Sequence, residues 1–208
     1  MNIGIITFHH TTNFGATLQT IAMGIAIERI GHNCEIINYD NENIDRRENP
    51  YFTYRMGGLK NNFDYIVRRP KMIKKYNNLY NTLKQYLKIT EVIEKGGLRD
   101  IASKYDVIIT GSDMLWNPNY TNFDKAFFLD LEEKKEIGSL LLDFSHIAVR
   151  EKQLAGQVEE IVETNVDVVC DPTMLLDSCD WEDFCTSRKI YNGKYILIYM
   201  YIIKEKNN

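Results

Sequence analysis

An asparagine, a glycine and a small residue set just before an amphipathic run suit the binding of an anion or a sugar hydroxyl. Here that step is Asn13-Phe14-Gly15-Ala16, with Gln19 one turn further on. A helix entered at this point leaves backbone N–H groups without intrahelical partners at its positive end. The same residues have a purely structural use, Asn13 as the helix cap and Gly15 as the tight turn. The triplet Gly111-Ser112-Asp113 ends another apolar run, a position where short polar side chains line a cleft. Ser112 has no His and Asp partners at nucleophile-elbow spacing, so it is expected to hydrogen-bond rather than attack. Asp113 has a second use as a cap for the turn at Asn117-Pro118. Trp116 offers either a stacking face for a sugar or a loop anchor. Arg150 closes the run Ile147-Ala148-Val149, and its guanidinium can fork two donors onto a carboxylate or phosphate. The alternative is a surface pair with Glu151 or Asp171.

These groups need a scaffold that brings loops together. Residues 3–8, Ile-Gly-Ile-Ile-Thr-Phe, predict a strand, and a polar turn over His9 to Gly15 follows. From Ala16 the apolar residues Leu18, Ile21, Ala22 and Ile25 recur at helical spacing up to Gly31, and Cys34 to Tyr39 is β-prone again. Strand, helix and strand within about 40 residues predict a parallel βαβ unit, hence an α/β fold. Residues 41–59 lack a period and read as a long connection. Residues 60–88 read as a basic helical segment of two helices interrupted at Pro70. Further strands are expected at Tyr105 to Thr110, Val166 to Cys170 and Tyr195 to Ile203.

The 208 residues carry a net charge of -4. Residues 60–88 hold eight Lys or Arg against the one acid Asp64, a local +7, which leaves -11 on the remainder. That balance argues against nucleic acid as a partner of the whole chain and makes the basic segment either a solvated face or an anion-attracting rim. No apolar run nears the roughly 20 residues of a spanning helix, and the N-terminus lacks a basic leader, so a cytoplasmic protein is expected. Cys34, Cys170, Cys179 and Cys185 show no metal-ligand spacing and are expected to be reduced thiols. No metal site and no GxGxxG dinucleotide fingerprint is legible.

Taken in order, Asn13-Phe14-Gly15-Ala16-Thr17-Leu18-Gln19, Gly111-Ser112-Asp113 with Trp116-Asn117, Val149-Arg150-Glu151, and Asp171-Pro172-Thr173 with Asp180-Trp181 resemble the polysaccharide pyruvyl transferase family. The resemblance implies a Rossmann-like parallel sheet with helices on both faces, similar to the N-terminal domain of a two-domain GT-B-type transferase. It implies residues 1–188 as that domain and 189–208 as the start of a second, incomplete one. It also implies transfer of a pyruvyl group, as a ketal, from phosphoenolpyruvate to a sugar of a cell-surface polysaccharide, with no cofactor beyond that donor. Arg150 matches the family arginine expected on the donor, while Asn13, Gly15, Ala16, Gln19, Gly111, Ser112, Asp113 and Trp116 would line the cleft.

The sequence departs from the family pattern in three places. The stretch from Phe128-Leu129-Asp130 to Arg150 is shorter than in the family, Met114 stands where glutamine is usual, and the family's Ser-Phe-His-Gly segment is absent. Weak or no turnover by this chain alone is therefore the expectation. The alternative readings are a non-catalytic domain binding a saccharide or anion, and one half of a split enzyme paired with a second polypeptide or with its own copy. A nucleotide-sugar transferase is disfavoured because no nucleotide-reading motif is present. Residues 60–88 are the expected place of any peripheral membrane contact.

Overall fold

Four parallel strands form the main sheet, side by side in the order Lys88–Ile89, Asn33–Ile36, Asn2–Ile6 and Val107–Thr110. The structure is a computed structural model, and it describes residues 1–52, 59–112, 115–129, 140–185, 191 and 193–196. Strand β1 (Asn2–Ile6) is central, pairing in parallel with β2 (Asn33–Ile36) on one side and β4 (Val107–Thr110) on the other. Its residues from Ile3 onward are all buried, as expected of a parallel strand covered on both faces. The edge strand β3 (Lys88–Ile89) is only two residues long and pairs with β2. The chain is thus α/β and consistent with a Rossmann-like fold. It divides into a unit of residues 1–176 and a second of 177–208.

Helix α1 (Phe14–Arg29) crosses from β1 to β2 and ends before Gly31, whose φ of 84° is the left-handed turn that glycine tolerates. Gly24 lets α1 approach Leu87 so closely that an added Cβ would stand 2.2 Å from a leucine methyl. Ile5, Ile21, Ile36 and Leu83 are fully buried. A second apolar cluster joins Ile6, Phe8, Ile37 and Tyr39 to Ile44, Leu98, Ile101, Leu115 and Phe127.

Two expectations need correction. The connection over 41–59 contains a helix, α2 (Glu42–Glu48), which has only Ile44 buried and so shows no apolar period. Local chemistry makes it: the Asn41 side chain accepts from the Ile44 amide, and Arg46 pairs with Glu42 one turn earlier. The basic segment is one helix of 28 residues, α3 (Leu59–Tyr86), which runs through Pro70. Pro70 and Ile66 both face solvent, so water can satisfy the Ile66 carbonyl that proline leaves without a donor.

The short helix α4 (Leu98–Ala102) leads into β4, and α5 (Pro118–Thr121) follows it, then a separate two-stranded parallel sheet of β5 (Ala148–Val149) and β6 (Asp167–Val168). Helix α6 (Lys152–Val162) joins them and buries Ala155, Val158 and Val162 against Val149 and Val166. In the unit 177–208, α7 (Ser178–Glu182) carries a capping box between Asp177 and Asp180. Of the run expected as a strand at 195–203, Tyr195 and Ile196 are described and are not in a strand, and 197–203 lie outside the described residues. So do residues 130–139.

Candidate functional site

At the carboxyl ends of β1 and β4 the strand order reverses, and the loops there diverge to leave a crevice in folds of this kind. Asn13 caps α1, its Oδ1 accepting from the Gly15 amide at 2.9 Å, and the Asn13 carbonyl accepts from the Thr17 amide. Asn13, Phe14 and Gly15 are exposed, while Ala16 packs against the apolar cluster. Gln19 reaches back from α1 and donates to Thr7 Oγ1 at 2.9 Å, and Thr7 Oγ1 donates to the Gly111 carbonyl at 2.6 Å. Thr7, just after β1, therefore ties helix α1 to the residue that follows β4. Of the expected site residues, Gln19 and Gly111 are brought together in this way. Ser112 is half-buried beside Gly111, and Asp113 lies outside the described residues.

Trp116 is part of an aromatic pile. Its ring lies nearly parallel to Phe128 with centroids 5.5 Å apart, contacts Phe144, and donates its indole N–H to the Phe127 carbonyl. Arg150 follows β5 and donates from Nη1 to Asp171 at 2.7 Å, with Glu151 4.0 Å from Nε. The turn Pro172–Leu175, which follows Asp171, packs beside α1. Burial alone would raise the Asp171 carboxyl, but hydrogen bonds from the Thr173 amide and hydroxyl and from Arg150 outweigh it and hold the group below the usual range. The Arg150 side chain stays 43% exposed, which leaves its fork open to a further anion.

The sequence reading missed the groups that set the loop's shape. Glu48 at the end of α2 accepts from Thr11 Oγ1 at 3.0 Å and from Thr12 Oγ1 at 3.2 Å, and Thr11 Oγ1 in turn accepts from the Asn13 amide. Glu48→Ala removes the shared acceptor. The expected outcome is about tenfold faster amide exchange at Asn13 and Gly15, the loss of roughly 1.4 kcal/mol of local stability, read by hydrogen–deuterium exchange. Unchanged exchange would mean that the loop holds its form without Glu48.

Two adjacent imidazoles were also missed, because in the sequence they look like part of an ordinary polar turn. His9 is buried, with Nδ1 2.9 Å from the Thr7 carbonyl and Nε2 3.2 Å from the Asn38 side chain. Burial lowers its pKa against the raising effect of both hydrogen bonds, so the ring is neutral. His10 is pushed down to about 3, first by burial and then by His9 and the Lys84 ammonium. Asp45 is raised to about 7, by burial and by a hydrogen bond to Asp40 whose charge also opposes its ionisation. A cavity of about 20 Å³, room for one water, lies among His9, His10, Asn41 and Asp45.

Among the described residues no group of three His, Cys, Asp or Glu is placed to hold a metal ion, and no helix is long and apolar enough to cross a membrane. The model of one family, polysaccharide pyruvyl transferase, matches residues 13–208. The chain matches no curated protein and no solved structure.

Proposed function

The chain belongs to the polysaccharide pyruvyl transferase family, and from that premise we propose that its crevice takes part in moving a pyruvyl group from phosphoenolpyruvate to saccharide hydroxyls. In that reaction two acceptor oxygens bond to C2 of the donor, C3 gains a proton and phosphate leaves. A small polyanion of this kind needs cationic and N–H donors that are in place before it arrives. The observation that carries the reading is the Gln19–Thr7–Gly111 bridge, which fixes both loops around the α1 N-terminus at the point where the strand order reverses. Arg150 is assigned to the donor's phosphate or carboxylate, and its pairing with Asp171 orients the guanidinium without consuming its whole fork.

Thermal unfolding with and without phosphoenolpyruvate tests this reading. The donor should raise the melting temperature of the unaltered chain, Arg150→Ala should lose at least half of that shift, and Arg150→Lys should fall between them because it keeps charge but not the planar fork. An unaltered chain with no shift sinks the donor assignment. A full shift in Arg150→Ala removes Arg150 from it.

A further inference from the structure

Helix α3 has two unlike faces. Tyr65, Tyr76 and Leu83 are buried and recur 11 and 7 residues apart, so they mark one stripe that packs onto the rest of the chain. The Tyr65 hydroxyl and Arg69 Nε both donate to the Pro50 carbonyl at 3.0 Å, which holds the first half of the helix against the segment after α2. On the opposite side Ile66, Pro70 and Lys74 follow one another at every fourth residue, Val67 and Lys71 form the next row, and all five are exposed. Arg68 is exposed at their flank. Adjacent rows on one helix make one continuous surface.

Ile66 and Val67 are each 64% exposed. Single exposed aliphatic residues are ordinary, but here two branched ones adjoin cations that lack a counter-charge. Among the described residues no carboxylate pairs with Arg68, Lys71 or Lys74. Their neighbours are engaged elsewhere, Arg69 with backbone carbonyls and Lys75 with the face of the Phe14 ring. An aliphatic pair beside unpaired cations fits a partner that is anionic at its surface and apolar just beneath, the layering of an anionic lipid bilayer. A soluble polyanion would use the cations and leave the aliphatic pair in water. The net -11 outside residues 60–88 does not cancel the attraction, because at physiological salt the bilayer's field reaches only about 8 Å and acts on the nearest face.

We propose that the outer face of α3, formed by Ile66, Val67, Arg68, Pro70, Lys71 and Lys74, docks the chain on an anionic lipid bilayer. The helix lies along the surface, with Ile66 and Val67 at the boundary of headgroups and acyl chains and the three cations among the headgroups, which their long stems reach. This docking uses no residue of the crevice, so it stands apart from the transferase reading.

The test is co-flotation of the full chain with vesicles of phosphatidylcholine alone and of phosphatidylcholine with about one-third phosphatidylglycerol, at about 0.1 M and about 0.5 M salt. At low salt the mixed vesicles should bind the chain at least tenfold more tightly than the neutral ones, and high salt should weaken that binding at least threefold. Arg68→Gln, Lys71→Gln and Lys74→Gln together should weaken it at least tenfold, and Ile66→Ser with Val67→Ser at least threefold. All five side chains are exposed, so both variants should fold, which circular dichroism melts check. Lys104→Gln, Lys152→Gln and Lys194→Gln together remove the same charge from exposed positions outside α3 and should leave binding within about twofold. The proposal is overturned if the mixed vesicles do not bind, if neutral vesicles bind as well, if a folded α3 variant floats like the unaltered chain, or if the Lys104 triple loses as much as the α3 triple. Inorganic polyphosphate is titrated in parallel. Binding of polyphosphate without binding of vesicles would make the face a polyanion site, and self-association lost in the α3 triple without vesicle binding would give it to a second copy of the chain; either result rejects the bilayer.

Discussion

Phe127→Ala is expected to lower the stability of the chain by about 3–5 kcal/mol, the usual cost of emptying a buried phenylalanine site. The ring is 2% exposed, packs edge-on against Tyr39 at 5.5 Å and belongs to the apolar cluster that joins β1, α2 and the segment after β4. It also borders the small cavity beside His9 and His10, so truncation enlarges a void that already exists. For a chain of this size the loss amounts to a melting temperature lower by about 10 °C. Phe127→Leu, which keeps most of the volume, should cost no more than about 1.5 kcal/mol. The Phe127 carbonyl, acceptor for both Thr110 and Trp116, stays in both variants. Equal melting temperatures for the two variants would show that side-chain packing at this site is not what holds the segment.

Stability should also fall as the pH is lowered from 6 to 5, and the reason is a count of protons. Unfolded, His9 and His10 take up two protons below their ordinary pKa of 6.5 and Asp45 is ionised. Folded, His10 stays neutral with its pKa near 3, burial holds His9 below its ordinary value, and Asp45, raised to about 7, keeps one proton. The His10 difference and the Asp45 difference oppose each other, so the lowered His9 sets the sign: the unfolded state binds up to one proton more in this window, and stability drops by at most about 1.4 kcal/mol per pH unit. The groups facing His10 are His9, Lys84, Tyr76 and Tyr80, and none of them reverses the sign. His10→Gln removes one proton from the unfolded side of the balance, so its slope should be smaller than that of the unaltered chain by about 1.4 kcal/mol per pH unit. Urea unfolding at pH 5.0, 5.5 and 6.0 decides the matter. An unaltered slope in His10→Gln would mean that His10 is already charged in the folded chain.

The parallel βαβ start was legible because its signals are local. An apolar run, a polar turn ending in Asn13-Phe14-Gly15, a helical period and Gly31 each act through neighbours along the chain. The same holds for the family resemblance, which needs only short motifs in order. Helix α2 was illegible because a helix with one buried residue carries no apolar period, and its cap and ion pair look like loop chemistry. The run of α3 through Pro70 was illegible for the opposite reason, since the local rule against proline is overcome by the packing of Tyr65, Tyr76 and Leu83 along the rest of the helix.

The sequence by itself determined the fold class, the family and the candidate residues Asn13, Gln19, Gly111 and Arg150. Only the tertiary structure decided which of them meet. Thr7 bridges Gln19 and Gly111 over 12 and 104 residues of chain, Glu48 holds Thr11 from 37 residues away, and Asp171 takes Arg150 from 21. The lowered pKa values of His9 and His10 belong to the same class, because they come from burial and not from residue type. Local propensity acts over one turn or one strand, while contacts across the sheet and the electrostatics of burial exist only once distant segments have packed.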